Sequence, residues 1–446
     1  MVSDFFYPQP GGIELHVYHL SQRLIDRGHS VVIITHAYGS RTGVRVLTNG
    51  LKVYYVPFFV LYRESTFPSV FSFFPILRQI LIREQIDIVH GHGSLSSFCH
   101  EAILHGRTMG LRTVFTDHSL FGFADAGSIL GNKLLKFTLS DVGHVICVSH
   151  TCKENTVLRA SLDPLNVSVI PNAVVASNFR PDSSQASKDH ITIVVISRLY
   201  PNKGTDLLTA VIPRICALHP TVTFTIAGSG PKAIDLEQMR EKYRLQERVE
   251  LIGSIKHEEV RDVMIKGHIY LHPSLTEAFG TVLVEAASCG LLVVTTNVGG
   301  IPEVLPSHMT VFASPSENSL VESTLSAIKL IEEKKVTPSE FHDEIKNMYC
   351  WEDVARRTEE VYDKIDSNTL TEPLVDRLAR YYHGGPWAGK LFVICVIVDV
   401  ILLHFLEYFW PVESIDKAKK WPRKKPPQDT INYFDESYNL ISEMDR

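Results

Sequence analysis

Two glutamates, Glu277 and Glu285, are eight residues apart in a stretch whose composition changes from loop-like to helical. Thr281 to Cys289 has helical composition and is followed by Gly290, which is typical of a helix end. We therefore expect Glu277 in a loop that faces the start of a helix, and Glu285 just over one turn inside it. An ordinary loop and helix with surface glutamates would show the same pattern, so the pair alone is not specific.

The start of this predicted helix also favours an anion. The first backbone amides of a helix have no intrahelical partner and lie at the positive end of the helix dipole, so they attract phosphate. The amides concerned are those of Gly280, Thr281 and Val282. Together with two carboxylates that accept hydrogen bonds from hydroxyl groups, they predict a ligand such as a nucleotide sugar.

Further signals lie at the ends of predicted strands around these glutamates. Arg198 ends one strand and Lys203 opens the next helix, which places two cations where a diphosphate could bind. Glycine turns, in which the backbone can approach a ligand closely, follow two other strands. These are Gly228 and Gly230 after the first, and Gly299 and Gly300 after the second. Each signal is common, but their combination in one region is specific.

The N-terminal half of the chain offers fewer candidates. Gly11 and Gly12 could present backbone amides opposite the diphosphate. His118 ends a strand and is expected to face a cleft, although a hydrogen-bonded core histidine would fit the same position. No D-x-D pair occurs that could hold a divalent metal. We therefore expect no metal and no cofactor, with cations and helix amides stabilising the diphosphate instead.

Apolar strand-like runs alternate with helical stretches twice along the 446 residues. This pattern predicts an α/β fold of two Rossmann-like, doubly wound domains that face a cleft. The predicted segments are a first domain at 1–182, a second at 190–350, a crossover helix and linker at 351–386, a transmembrane helix at 389–410 and a polar tail at 411–446.

The amino-acid composition argues against one class of function and indicates the cellular compartment. The net charge of −6 argues against a general nucleic-acid binder. Seven cysteines without a C-x-x-C pair indicate reduced thiols in a cytosolic compartment. No signal peptide precedes the first predicted strand, which begins so abruptly that we expect its start to be missing.

The stretch LFVICVIVDVILLHFLEYFW, residues 391–410, is long and apolar enough to cross a bilayer. An acid at Asp399 is costly there, so we expect it to find a partner helix in another protein of a complex. The cationic residues beyond the span would place the C-terminus in the cytosol. The thiols and the missing signal would instead keep the large N-terminal part in the cytosol. A single span cannot satisfy both arguments, and we favour the second.

The combined motifs resemble the retaining glycosyltransferases of family 4, which have the GT-B fold. The resemblance covers about residues 1–365 and rests on the E-x7-E pair, the Arg198/Lys203 cations, the glycine turns and His118. Long stretches such as VFTDHSLFGFAD and CVSHTCKENTVLRA resemble, within that family, the phosphatidylinositol N-acetylglucosaminyltransferases.

This resemblance implies UDP-N-acetylglucosamine as the donor and phosphatidylinositol as the acceptor, with retention at the transferred sugar. It also implies the first step of GPI-anchor synthesis, together with other membrane subunits, at the cytosolic face of the endoplasmic reticulum. The first domain would then receive the acceptor, and the second would hold the nucleotide sugar.

Carried over to this sequence, the resemblance gives each candidate residue a role. Glu285 would hold the ribose hydroxyls and Glu277 the donor sugar. Arg198 and Lys203 would bind the leaving diphosphate, and His118 would lie beside the reacting sugar. The amides around Gly280 and the glycines at 11 and 12 would let the diphosphate and the inositol approach the backbone.

Two other hypotheses remain open. The chain could be a family-4 transferase for another lipid acceptor, or a catalytically silent scaffold subunit. The presence of Glu277, Glu285, Arg198 and Lys203 argues against the scaffold, since an inactive relative is free to lose them.

Overall fold

The computed structural model of the chain describes residues 1–9, 11–62, 64–69, 71–123, 126–337, 340–365 and 372–419. The chain forms two compact units. Unit 1 comprises Met1–Cys147, Lys153–Val169 and the described residues from Ala355 onward, and unit 2 comprises Val148–Cys152 and Ile170–Val354. Most of the predicted polar tail, residues 420–446, lies outside the described residues.

The first 169 residues alternate between strands and helices. The strands are β1 (Val32–His36), β2 (Gly43–Val46), β3 (Lys52–Val56), β4 (Val60–Tyr62), β5 (Ser65–Thr66), β6 (Ile88–His92), β7 (Arg112–Asp117), β8 (His144–Cys147) and β9 (Val167–Val169). The helices are α1 (Gly12–Asp26), α2 (Phe74–Arg83), α3 (Ser97–Thr108), α4 (Ala126–Leu139) and α5 (His150–Ala160).

The main sheet of unit 1 is parallel except at one edge. Its strands run in the order β2-β3-β1 on one side and β6-β7-β8-β9 on the other, and only β2 is antiparallel. Val2 makes parallel bridges to both Ile34 and Gly91, so the N-terminal residues join the two halves. Helices cover a parallel sheet on both faces, which is why β1 is buried along its whole length.

The phenylalanine-rich segment before α2 divides between core and surface. Phe73 stacks on Phe98 of α3 with ring centroids 4.4 Å apart, and both are buried. Phe59 and Phe67 are exposed. The segment therefore supplies part of the core of unit 1 as well as apolar surface.

Unit 2 contains one six-stranded parallel sheet. Its strands are β10 (Ile191–Ile196), β11 (Val222–Ala227), β12 (Val249–Gly253), β13 (Ile269–His272), β14 (Leu292–Thr296) and β15 (Thr310–Ala313), in the order β12-β11-β10-β13-β14-β15. The strand order reverses direction beside β10, which is the point where open parallel sheets bind ligands. The intervening helices are α6 (Thr205–Leu218), α7 (Ala233–Lys242), α8 (His257–Met264), α9 (Thr281–Ser288), α10 (Glu317–Glu332) and α11 (Phe341–Met348).

Three helices complete the described chain: α12 (Trp351–Lys364), α13 (Leu374–Tyr382) and α14 (Ala388–Phe409). From Ala355 onward α12 belongs to unit 1. Helix α14 is long and apolar enough to cross a membrane. Within its most apolar stretch of 18 residues, 22% is buried inside the protein. Val396 of α14 packs with Leu104 of α3 and Tyr381 of α13 in a small apolar cluster.

The partner of Asp399 corrects one expectation from the sequence. Asp399 Oδ1 lies 2.7 Å from Nδ1 of His105 in α3, and neither side chain is exposed. The acid is therefore paired within its own chain and unit, rather than with a helix of another protein. Arg78 of α2 adds a second attachment, because its guanidinium donates a 2.9 Å hydrogen bond to the Trp410 carbonyl at the end of α14.

Candidate functional site

Glu277 lies in the loop between β13 and α9, within a small polar network. Lys203 donates a hydrogen bond to its Oε1 atom, and Ser274 Oγ lies 3.4 Å from the same oxygen. His272 Nε2 lies 3.3 Å from the same oxygen. Burial by itself would raise the pKa of Glu277, yet His272 and the Lys203 charge outweigh it and bring the pKa to about 2. Glu277 is therefore a fixed carboxylate at neutral pH.

Glu285 lies inside α9 in a different environment. It is buried, and among the described residues no group donates a hydrogen bond to its carboxylate. The nearest cationic group is His257, whose Nε2 is 4.0 Å from Oε1. Burial raises the pKa of Glu285, and His257 offsets only part of that effect. A carboxylate in this position can accept hydrogen bonds from the hydroxyl groups of a ligand.

The start of α9 is open, as the sequence predicts. Gly280 precedes it in the left-handed conformation, with φ of 85°, and no side chain caps the helix. The amides of Thr281 and Val282 therefore lie at an uncapped helix start, next to the loop that carries Glu277. This arrangement favours an anion.

The two predicted cations behave differently. Lys203 lies in a short 3-10 helix before α6 and is already paired with Glu277. Arg198 follows β10 and is exposed, and within the described residues its guanidinium has no hydrogen bond or ion pair. Lys203 thus positions Glu277, whereas Arg198 is available to an external anion.

The glycine turns hold backbone segments in close contact. A Cβ atom on Gly228 would lie 1.9 Å from the Ser197 carbonyl, and one on Gly230 would lie 2.3 Å from that of Leu199. Only glycine permits this packing at the ends of β10 and β11. These two glycines therefore fix the segment that carries Arg198.

Gly300, which follows Gly299 in its left-handed conformation, is held in similarly close contact with the Glu277 loop. Gly300 donates its backbone N–H to the Glu277 carbonyl at 3.0 Å. A Cβ atom on Gly300 would lie 2.2 Å from the Ala278 carbonyl and 2.6 Å from Ser149 Oγ. Ser149 itself donates a hydrogen bond to Ala278, so the loop is held from two sides.

His118 lies in unit 1, directly after β7. Its Nε2 is 3.3 Å from Nδ1 of His92, and its ring centroid is 4.7 Å from that of His16 in α1. Burial, reinforced by the neighbouring histidines, holds the pKa of His118 well below its usual value. It is therefore a neutral imidazole at neutral pH.

Gly11 and Gly12 open α1, also in unit 1. The Glu14 carboxylate lies over Gly11, so that a Cβ atom there would be 2.3 Å from Glu14 Oε2. An acid in the first turn already complements the helix dipole, which the sequence interpretation did not consider. The role of this turn towards a diphosphate stays a prediction.

Several residues of the site escaped the sequence interpretation. They are His272 and Ser274 beside Glu277, His257 near Glu285, Ser149 beneath the loop, and His16 beside His118. One signal was available for His272, because it ends β13 just as Asp117 and His118 mark the end of β7. No local pattern marks the others.

Solved structures with similar folds are glycosyltransferases. Sucrose-phosphate synthase from Thermosynechococcus elongatus matches with a TM-score of 0.66 at 20% identity, over 79% of this chain and 93% of the other. Anabaena HepE in complex with UDP matches with a TM-score of 0.64 at 17% identity, over 80% and 98% respectively. With the parallel sheets described above, these likenesses define the class of fold as GT-B.

Sequence comparisons specify the family further. The profile of glycosyl transferases group 1 matches residues 177–344, and that of PIGA (GPI anchor biosynthesis) matches residues 36–125. The gpi3 subunit of phosphatidylinositol N-acetylglucosaminyltransferase from Schizosaccharomyces pombe is 68% identical over 418 residues, which cover 94% of this chain and 91% of the relative. The matching subunit of the same enzyme from Homo sapiens is 51% identical over 420 residues, with 94% and 86% covered.

The chain is thus a glycosyltransferase of group 1. It belongs to the family of the GPI3 subunits of phosphatidylinositol N-acetylglucosaminyltransferase and their homologues.

Proposed function

We propose that the chain transfers N-acetylglucosamine from UDP-N-acetylglucosamine to phosphatidylinositol with retention, as the first step of GPI-anchor synthesis. The names of the most similar relatives support this acceptor and this sugar. The observation that carries the proposal is the contrast within unit 2 between the paired Glu277 and the buried Glu285, whose carboxylate has no donor among the described residues. Two such carboxylates on either side of an uncapped helix start suit a nucleotide sugar.

Each donor contact follows from this arrangement. Ribose hydroxyls donate to Glu285, which relieves its burial cost. The sugar hydroxyls donate to Glu277, which Lys203 holds ionised and in place. The diphosphate accepts hydrogen bonds from the amides of Thr281 and Val282 and binds the Arg198 guanidinium.

The reaction requires stabilisation of a leaving diphosphate. As its bond to the sugar breaks, negative charge develops on the phosphate oxygen beside Arg198 and the start of α9, where fixed positive charge stabilises it. The acceptor hydroxyl adds to the same face of the sugar and passes its proton to the departing phosphate. His118 lies beside the reacting sugar as a neutral hydrogen-bonding group. No divalent metal takes part in this mechanism.

The proposal also includes the location of the enzyme and its partner proteins, supported by helix α14 and by the names of the relatives. Helix α14 attaches the chain as a single-pass protein to the endoplasmic reticulum membrane, with units 1 and 2 in the cytosol. The relatives are named as parts of a multi-protein enzyme, and we propose that further membrane proteins assemble with this chain as well.

One assay tests the proposal directly. Membranes that contain the chain are supplied with labelled UDP-N-acetylglucosamine and phosphatidylinositol, and the glycolipid product is separated and counted. We expect labelled product in the presence of a chelator, because no metal is needed. Labelling of a different lipid would make the chain a transferase for that acceptor, and donor binding without any product would make it a scaffold.

Two variants tie the activity to the site. Arg198→Ala and Glu277→Gln should each lower transfer at least 10-fold, which corresponds to about 1.4 kcal/mol of barrier. Arg214→Ala is the matched control, because Arg214 is exposed on α6 and 4.0 Å from its nearest acid, Glu317. Near-normal transfer in both site variants would contradict the assigned roles.

A further inference from the structure

Unit 1 brings together three histidines from three separate elements. His16 lies in α1, His92 ends β6 and His118 follows β7. One ring nitrogen of each lies within 4.8 Å of the corresponding atoms of the other two. The sequence interpretation did not bring these three residues together, because they are far apart in the chain.

The spacing of these nitrogens approaches that of a tetrahedral metal site. Zinc binds imidazole nitrogens at about 2.0–2.1 Å, so two of its ligands are roughly 3.4 Å apart. The distance of 3.3 Å between His92 Nδ1 and His118 Nε2 already meets that value. The His16 nitrogen has only to move closer to complete three ligands.

A fourth histidine, His90, lies next to the cluster and has a purely structural role, because both of its ring nitrogens are hydrogen-bonded. Both ring nitrogens of His90 are paired, Nδ1 with Tyr362 Oη at 2.8 Å and Nε2 with Thr116 Oγ1 at 2.7 Å. His92 stacks on His90, but its Nε2 is buried and has no hydrogen-bond partner among the described residues. Both nitrogens of His90 are thus committed to the protein, whereas Nδ1 of His92 faces Nε2 of His118 at 3.3 Å and is the nitrogen that could serve as a ligand.

The protonation state also suits metal binding. The pKa values of His92 and His118 are held well below the usual range, first by burial and then by repulsion from the neighbouring histidines. Metals bind the neutral imidazole, so these two ligands need not lose a proton at neutral pH.

We propose that His16, His92 and His118 form a three-imidazole site for a transition-metal cation of the zinc type, with a fourth position left to water. Imidazole ligands favour zinc, copper, iron and nickel over magnesium or calcium, which prefer oxygen. The proposed site therefore differs in its ligands from the oxygen-lined sites that magnesium and calcium prefer.

Occupation of this site has a consequence for transfer, which rests on the proposed function. A metal bound to His118 withdraws that imidazole from the reacting sugar. Zinc should then inhibit the enzyme reversibly, and a chelator should restore activity.

The test uses the full chain, purified in detergent and stripped of metal. Cobalt replaces zinc in such sites, and its visible absorption reports tetrahedral coordination without any need for activity. We expect one cobalt ion per chain, a tetrahedral spectrum, and displacement by zinc. Zinc should also raise the Tm of the chain.

Substitutions of single histidines test which of them bind the metal ion. His118→Gln and His16→Gln should each weaken cobalt binding by at least about 10-fold. His308→Gln should bind like the unchanged chain, because His308 is exposed in unit 2 and pairs with Glu344. Circular dichroism identifies any variant that fails to fold, and the half-buried His118 makes its variant the safer of the two.

The outcomes are distinct. A chain without a tetrahedral cobalt spectrum, or a folded His118→Gln variant with unchanged affinity, would overturn the metal site. A filled cobalt site with undiminished transfer would retain the metal site but contradict the placement of His118 in the proposed function.

Discussion

Glu277 and Glu285 are eight residues apart but have opposite electrostatic surroundings. Glu277 is held ionised, with a pKa of about 2, by His272 and Lys203, which together outweigh its burial. Glu285 is buried with only His257 nearby, and its pKa is raised. The first is a preformed acceptor, and the second depends on a ligand to satisfy it.

This contrast predicts how donor binding depends on pH. As pH falls through the raised pKa of Glu285, its carboxylate gains a proton and becomes a weaker acceptor for the ribose hydroxyls. Affinity for UDP-N-acetylglucosamine should therefore decline on the acid side, beginning above the pH at which an ordinary glutamate titrates, about 4.3. Titration calorimetry at several pH values would measure it.

Two variants identify the residue responsible for the loss of donor affinity at low pH. Glu285→Gln should bind the donor more weakly and lose the pH dependence, because it has no group left to titrate. Glu277→Gln should keep the dependence, since the pKa of Glu277 lies far lower. Donor affinity that is independent of pH in the unchanged chain would refute the role of Glu285.

Gly300 provides a second test at the scale of single residues. A methyl group there meets the Ala278 carbonyl and Ser149 Oγ, so Gly300→Ala should displace the loop that carries Glu277. We expect donor affinity at least 10-fold lower, or about 1.4 kcal/mol, in a chain that still unfolds cooperatively. Gly131→Ala is the control, because Gly131 in α4 has nothing within 4 Å of its added Cβ atom. Unchanged donor affinity in Gly300→Ala would show that the loop tolerates the shift.

At the scale of elements, α14 is attached to unit 1 at two points 11 residues apart. Asp399 pairs with His105 of α3, and Arg78 of α2 donates to the carbonyl of Trp410. His105 also stacks on Phe74, with ring centroids 4.2 Å apart. The buried acid of the apolar helix thus has one of its carboxylate oxygens paired within unit 1.

A double-mutant cycle measures this attachment. Asp399→Leu leaves His105 buried without its hydrogen-bond partner, and a buried polar group left unsatisfied costs about 1–3 kcal/mol. His105→Phe combined with Asp399→Leu replaces both partners by apolar groups, so most of the loss should be recovered. Denaturant unfolding in detergent would give the free energies.

The control lies on the same helix. His404 is exposed and 3.6 Å from Glu407, so His404→Leu should change the free energy of unfolding little. If Asp399→Leu is equally harmless, the pair with His105 does not hold the helix.

The order of elements was predictable because it depends on local patterns. Apolar runs predict strands at residues 52–56 and 292–296, and these are the observed bounds of β3 and β14. The sequence interpretation missed β2, β4, β5, α11 and α13. Strand β2 is exposed along its length and β5 has two residues, so neither has the apolar run of a buried strand.

At the scale of the whole molecule, α14 is long and apolar enough to cross a membrane and also packs against unit 1. Its Val396 packs with Leu104 and Tyr381, while Leu391, Ile401 and Tyr408 are exposed. One side of the helix therefore belongs to the protein, and the other offers an apolar surface to lipid.

Truncation separates the two roles. A chain that ends at residue 386 should leave the membrane fraction, yet it should also aggregate or melt at a lower temperature, because Leu104 and Tyr381 lose their cover. A chain that ends at residue 419 keeps α14 and should float with membranes like the full chain. Density-gradient flotation and size-exclusion chromatography would measure both properties. A 386-residue chain that still floats with membranes would assign attachment to another surface.

The sequence by itself determined the repeated strand-helix pattern, the loop with Glu277, the helix with Glu285 and the glycine turns around them. All of these are signals within a few residues of one another, which is the range over which periodicity, turn chemistry and helix starts act. Only the tertiary structure decided that Lys203 pairs with Glu277, that Asp399 pairs with His105, and that three histidines meet in unit 1. Partners separated by tens to hundreds of residues are chosen by the path of the chain through its sheets, and no local pattern of residue types encodes that path.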